Sequence, residues 1–253
     1  MLSGHAAEAR HYRLKRASIS INASKAGLKP PPDGHCESVS VKPVKVCGWF
    51  ACHYLLPMNN AQFDALLDFW FAVRQLDELT LDSRMNCWFG NNTAFETELS
   101  ERFSGLVEQA LSGELDDWAT CPRGRLALIL LLEQFPRRIY GDDRRAYRGD
   151  RKALKLCEQG VANDSYKQLN ALEQLFFFMP LQRAESIKIQ QTSVKIYNAL
   201  ASRVSSTLRD TFETVAQFAE LRRDIIAEFG RFPHRNMPLG RPNTSVEEAH
   251  LVI

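Results

Sequence analysis

The sequence has 253 residues, 45% of them hydrophobic, and a formal net charge of +2, enough for one domain of ordinary size with a substantial core. The balance hides an asymmetry: residues 1–57 carry eight Lys/Arg against three acids, which leaves residues 58–253 at a net −3, and a mildly acidic body argues against a nucleic-acid binder. The longest apolar run is seven residues, far short of the ~20 that span a bilayer.

Residues 1–57 read as a leader that does not match the rest. They hold four of the six histidines and the Pro30-Pro31-Pro32 run, and they show no sustained helical period. The expectation is that this part is disordered, or is upstream sequence outside the native product with Met58 as the true start. An Arg-rich targeting segment is the alternative. The six cysteines (Cys36, Cys47, Cys52, Cys87, Cys121 and Cys157) form no C-x-x-C pair and have no histidine at finger spacing. They read as reduced thiols of a cytoplasmic protein rather than as metal ligands.

From residue 58 the pattern is helical throughout, an all-α domain over 58–253. Phe63, Leu66, Leu67, Trp70 and Phe71 recur at helix spacing. An irregular stretch follows to Gly90. Thr93-Ala-Phe-Glu96 has the form of a capping box, and Gly113 closes the helix that it opens. Pro122 sits in the first turn of a central helix. Its run Leu126 to Leu132 is apolar on every face and so calls for burial all round. Pro136 is expected to end it, leaving Arg137 and Arg138 beyond the stop.

Asp150 reads as the cap of the next helix. Leu169, Leu172, Phe176 and Met179 mark another, stopped by Pro180. Ile187 to Val204 and Leu208 to Phe229 give two more, the latter closed by Gly230, and Ser245-Val-Glu-Glu248 caps a last one. Helix pairs on short links suggest an α-solenoid or a tightly packed bundle. No strict repeat is present.

Phe135-Pro-Arg-Arg138 and Phe232-Pro-His-Arg235 are local echoes, each an aromatic, a proline and two basic residues near a helix end. They read either as helix terminators or as two ends that converge to offer guanidiniums to a carboxylate or phosphate.

These residues carry a resemblance. Leu67-Asp-Phe-Trp-Phe71, Trp88-Phe89, Leu126 to Pro136, Met179-Pro-Leu181, Arg223-Asp-Ile-Ile226 and Gly230-Arg-Phe-Pro-His-Arg-Asn236 resemble the bacterial family called domain of unknown function 924. The resemblance runs from about residue 60 to the end. It implies an all-helical, tetratricopeptide-like fold and no agreed activity. The family's usual length also favours a start at Met58. Two departures stand out. The family's His-Ser-Glu-Asp-like run is Arg183-Ala-Glu-Ser186 here, and Arg222 stands where a histidine is usual.

Beyond residue 57 only His234 and His250 remain, so no three-histidine metal site can form there, and no cofactor motif is present. Residues 137–155 hold eight bases against three acids. Two functions follow. The first is binding of a small anion, or of a protein or peptide partner, through an Arg-rich polar groove of Arg137, Arg138, Arg223, Arg231, Arg235 and Asn236. The second is a metal-independent hydrolase that uses His234 with Glu133, Glu185 or Asp224 as acid and base. Binding is favoured, because no nucleophile–base pair can be picked out.

Overall fold

The computed structural model describes residues 60–72, 78–90 and 92–252. The expected leader 1–57, the start at Met58 and three of the cysteines lie outside the described residues. Among the described residues there is no strand: the fold is all-α. No helix among them is long and apolar enough to cross a membrane.

The helices are α1 (Asn60–Phe71), α2 (Glu78–Phe89), α3 (Thr93–Ser112), α4 (Pro122–Ile129), α5 (Phe135–Tyr140), α6 (Asp150–Ala162), α7 (Ala171–Phe177), α8 (Met179–Arg183), α9 (Ile187–Ala201), α10 (Ser206–Phe229) and α11 (Ser245–Val252). Short 3₁₀ turns fall at Asp116–Thr120, Arg144–Tyr147, Ser165–Gln168 and Pro233–Arg235. Within the irregular stretch before Gly90, Glu78–Phe89 form α2.

The all-apolar run behaves as its composition requires. Leu126 to Leu132 are all fully buried. They sit between α1, α3, α6 and α7, and α9 packs along α10 beside them. Trp70, Trp88, Phe135 and Phe176 meet in one aromatic group at the α1–α2 end of this core.

Pro136 does not end the central helix. Leu130–Gln134 form a π turn, in which the Phe135 N–H bonds the carbonyl five residues back, at Leu130. The wider turn makes room for a proline ring that a regular α-helix would reject. The chain then continues as α5 to Tyr140, so Arg137 and Arg138 are helical residues. Pro180 likewise lies in the first turn of α8 rather than stopping α7, which ends at Phe177 with Phe178 as its cap.

Two caps fall one residue earlier than the sequence suggests. Asn92 accepts the Phe95 N–H at 3.0 Å, and Thr244 exchanges reciprocal bonds with Glu247. In each case the residue ahead of the expected cap has a side chain that reaches the same free amide. Asp150 does not cap α6. Gly149 takes that position, with no side-chain cap, and its backbone lies directly against the Leu132 carbonyl, where a Cβ would collide.

Candidate functional site

The geometry of the site begins with the π turn. It leaves Glu133 facing inward, fully buried. Its Oε1 lies 3.2 Å from Arg137 Nη1 and 3.1 Å from Arg183 Nε, and its Oε2 accepts from Gln134. Arg137 Nη1 also donates to the Glu133 carbonyl at 2.6 Å, so one side chain serves both a carboxylate and a backbone acceptor in the disturbed turn. Arg137 Nη2 then reaches both oxygens of Asp150, at 2.7 and 2.8 Å. Burial alone would lower the Arg137 pKa, but Asp150 and Glu133 raise it above its usual value.

Arg235 arrives at the same carboxylate from 85 residues away. The 3₁₀ turn Pro233–Arg235 follows α10, which ends on Gly230 in the left-handed conformation at φ 71°. Arg235 Nη1 donates to Asp150 Oδ2 at 3.2 Å. Its side chain is buried, and its Nε has no hydrogen-bond partner. Burial, with Arg137 and Arg183 adding repulsion against the pull of Asp150, lowers the Arg235 guanidinium to about 10. The ring of Tyr147 lies 5.3 Å from the Arg137 guanidinium and 5.4 Å from that of Arg235. Tyr147 and Asp150 are only half-buried, so they form the side of the cluster that faces water.

The residues expected from the sequence divide. Arg137 and Arg235 do converge, and Glu133 lies behind them. Arg138 points elsewhere. It donates to the carbonyls of Trp88 and Gly90 and to Glu96, and so clasps the end of α2 to the start of α3. Arg231 forks onto Glu247 of α11 at 2.6 and 2.7 Å. Arg223 pairs with its neighbour Asp224, which is exposed on α10. Asn236 is buried and is held by Asn243 and Arg241. His234 is half-buried, its ring 5.5 Å from that of Phe232.

Glu185 accepts the Phe232 N–H and both Nη groups of Arg241. It thereby ties the segment that carries Arg235 to the link between α8 and α9. Burial acts to raise its pKa, but Arg241, the Phe232 amide and Arg235 outweigh it and leave it lowered. A lowered carboxyl stabilises the fold above its unfolded pKa and stops doing so as pH falls through its folded one. The stability difference between the wild type and Glu185→Gln should therefore be full near neutrality and begin to shrink as pH falls below about 4.3, the ordinary glutamate value, continuing to shrink through the lower folded one. Urea denaturation across a pH series measures it, and a difference that stays constant from neutrality down into the acid range would contradict it.

Asp150, Tyr147, Arg183 and Arg241 were not among the expected site residues. Asp150 was the one with a visible signal, as an acid inside a run of bases. The row continues inward through Gln182, whose Oε1 accepts from Arg222, and Gln190, whose Nε2 donates to the carbonyls of Gln182 and Ala184. A separate surface cleft of about 350 Å³ lies at the start of α4, lined by Phe63, Asp64, Cys121, Pro122, Arg123 and Gln168. Arg123 there is already paired with Asp64 and Glu173.

Comparison with known proteins agrees with the fold and is silent on activity. A family model described as a bacterial protein of unknown function (DUF924) matches residues 66–252. No curated protein matches the chain. Among solved structures the chain is similar to the protein of unknown function ATU0120 from Agrobacterium tumefaciens. That similarity is 29% in sequence identity with a TM-score of 0.63, and it covers 76% of this chain and 97% of that one.

Proposed function

We propose that this chain, which belongs to the DUF924 family of bacterial proteins of unknown function, holds a small anion against Arg137, Arg235 and the N-terminus of α6. The observation that carries the proposal is Arg235. A buried charge normally has its own partner. Arg235 shares its one carboxylate, Asp150, with Arg137, and its Nε is unmet. Asp150 keeps Arg137 as its partner without Arg235, so pairing of Asp150 alone does not call for a second arginine there.

A bound anion would supply the missing charge. It would also meet the first amides of α6, which Gly149 leaves without a side-chain cap and which favour negative groups. A carboxylate or phosphate fits a guanidinium fork. A peptide's terminal carboxylate offers the same chemistry, so a protein or peptide partner is the second form of this role. The helix pairs support a tetratricopeptide-like scaffold for it. Cys121 and Cys157 are reduced thiols among the described residues, which accords with a cytoplasmic setting.

Hydrolysis would need His234 to work with Glu133, Glu185 or Asp224. Each of those carboxylates is held by an arginine, which is the arrangement of a tie.

Thermal denaturation of the full chain with inorganic phosphate, acetate and a short peptide tests the role. An anion at ~100 times its Kd adds about 2.7 kcal/mol of stability. Arg235→Met should lose that gain while its melting temperature without anion stays level or rises. An Arg235→Met protein that still gains from phosphate, or one that is severely destabilised without it, would overturn the proposal.

A further inference from the structure

Two uncommitted donors at this site bear on the kind of anion it takes, and the step from them rests on the anion-binding reading above. The first is one edge of the Arg235 guanidinium. Its Nη1 donates to Asp150, while Nε and Nη2, which share an edge of the planar group, donate no hydrogen bond among the described residues. The rings of Phe232 and Tyr147 lie 4.6 and 5.4 Å from its central carbon. Stacked rings use the faces of a guanidinium and leave its edges. The Nε–Nη2 edge is therefore a fork that can hold two oxygens side by side.

The second donor is the hydroxyl of Tyr147. Tyr140 donates to Glu108, and Tyr197 donates to the Leu175 carbonyl. The Tyr147 hydroxyl bonds to nothing among the described residues, although its half-buried ring lies over both Arg137 and Arg235. Arg137, Arg235 and Arg183 are all within electrostatic reach of the phenol. Burial, with Asp142 adding to it, raises its pKa against the pull of those arginines, so it keeps its proton near neutrality and can donate. A phenylalanine ring would serve the two cations in the same way, so the ring contacts do not call for a hydroxyl.

We infer that the anion is a tetrahedral oxyanion of the phosphate type, with two oxygens on the Nε–Nη2 edge of Arg235 and a third on the Tyr147 hydroxyl. A carboxylate fills the guanidinium edge with both of its oxygens and has no third to offer. A phosphate group has one, out of the plane of the fork. Tyr147 is then the residue that selects between them. Inorganic phosphate and a phosphate monoester share this chemistry.

Isothermal titration of the full chain with phosphate, sulfate, methyl phosphate and acetate at fixed ionic strength tests this, in the wild type and in Tyr147→Phe. The variant should bind phosphate and sulfate about tenfold more weakly, the size of one hydrogen bond to a charged group. Acetate, where it binds at all, should bind both proteins alike. The melting temperature without anion should not move, because the ring stays and the hydroxyl holds no other group. Methyl phosphate that binds the wild type tighter than phosphate identifies an ester as the source, and the reverse order identifies the free ion. An unchanged affinity for phosphate in the variant, or an equal loss for acetate, would overturn this inference and leave the inner site standing. Failure of all four anions to bind the wild type would remove the inner site as well.

Discussion

Replacing Glu133 by alanine should lower the unfolding free energy by about 3–5 kcal/mol, the cost of stripping the partner from a buried charge. The size follows from where the carboxylate sits. It is fully buried behind the site, within ion-pair distance of Arg137 and Arg183, both of them buried too. Arg137 keeps Asp150 and the Glu133 carbonyl, and Arg183 loses the Glu133 carboxylate that lies 3.1 Å from its Nε. Glu133→Gln keeps the shape and removes the charge, and it should cost less than alanine because its amide oxygen still accepts. Urea denaturation monitored by tryptophan fluorescence measures both. A loss under 1 kcal/mol for Glu133→Ala would mean that the two arginines re-pair with little strain, and that Glu133 is not the anchor of the cluster.

The helices were legible because their apolar periods are strong, and the details were not, because they depend on competition between near-equal local choices. Asn92 and Thr93 can both cap, and so can Thr244 and Ser245; the difference between them is a side-chain reach that spacing does not report. The π turn was invisible for a stronger reason. A proline in an apolar helix normally means a stop, and only a change in hydrogen-bond register, with Phe135 bonding to Leu130, lets the chain run on. That change aims Glu133 and Arg137 at the cluster.

The same limit applies to the site. The two echoed motifs are alike in sequence, yet their four basic residues do different things. Arg137 and Arg235 meet at Asp150, while Arg138, one residue on, faces the opposite side and caps α2. Adjacent residues on a helix are separated by about 100°, so a pair of arginines in one motif cannot serve one pocket. Arg223 and Arg231 illustrate a second limit. Their partners, Asp224 and Glu247, are close in sequence, and local pairing won over convergence. Asp150 holds its place in the centre because two long side chains, from residues 13 and 85 positions away, reach it together. No periodicity in the sequence encodes that meeting.

The second large effect lies in the core, where Phe176→Ala should cost about 3–5 kcal/mol. Phe176 is fully buried, and its ring lies 4.8 Å from Trp88, 5.5 Å from Trp70 and 5.6 Å from Phe71, edge to face with each. Such pairs add to the burial itself, so the loss should sit high in that range. The three partners are fixed by their own packing, and Trp88 Nε1 is further pinned to the Trp70 carbonyl at 2.9 Å, which limits how far the cavity can collapse. Phe176→Leu keeps most of the volume and should cost markedly less. The consequence for the site is indirect. Phe176 is in α7, and α8, which follows Phe178, carries Gln182 and Arg183 into the cluster. If that connection is only a tether, Phe176→Ala at low denaturant should keep its affinity for phosphate, because the folded population still holds α8 in place. A protein that loses little stability but loses phosphate binding would show instead that the aromatic group positions α8, and that core and site are one mechanical unit.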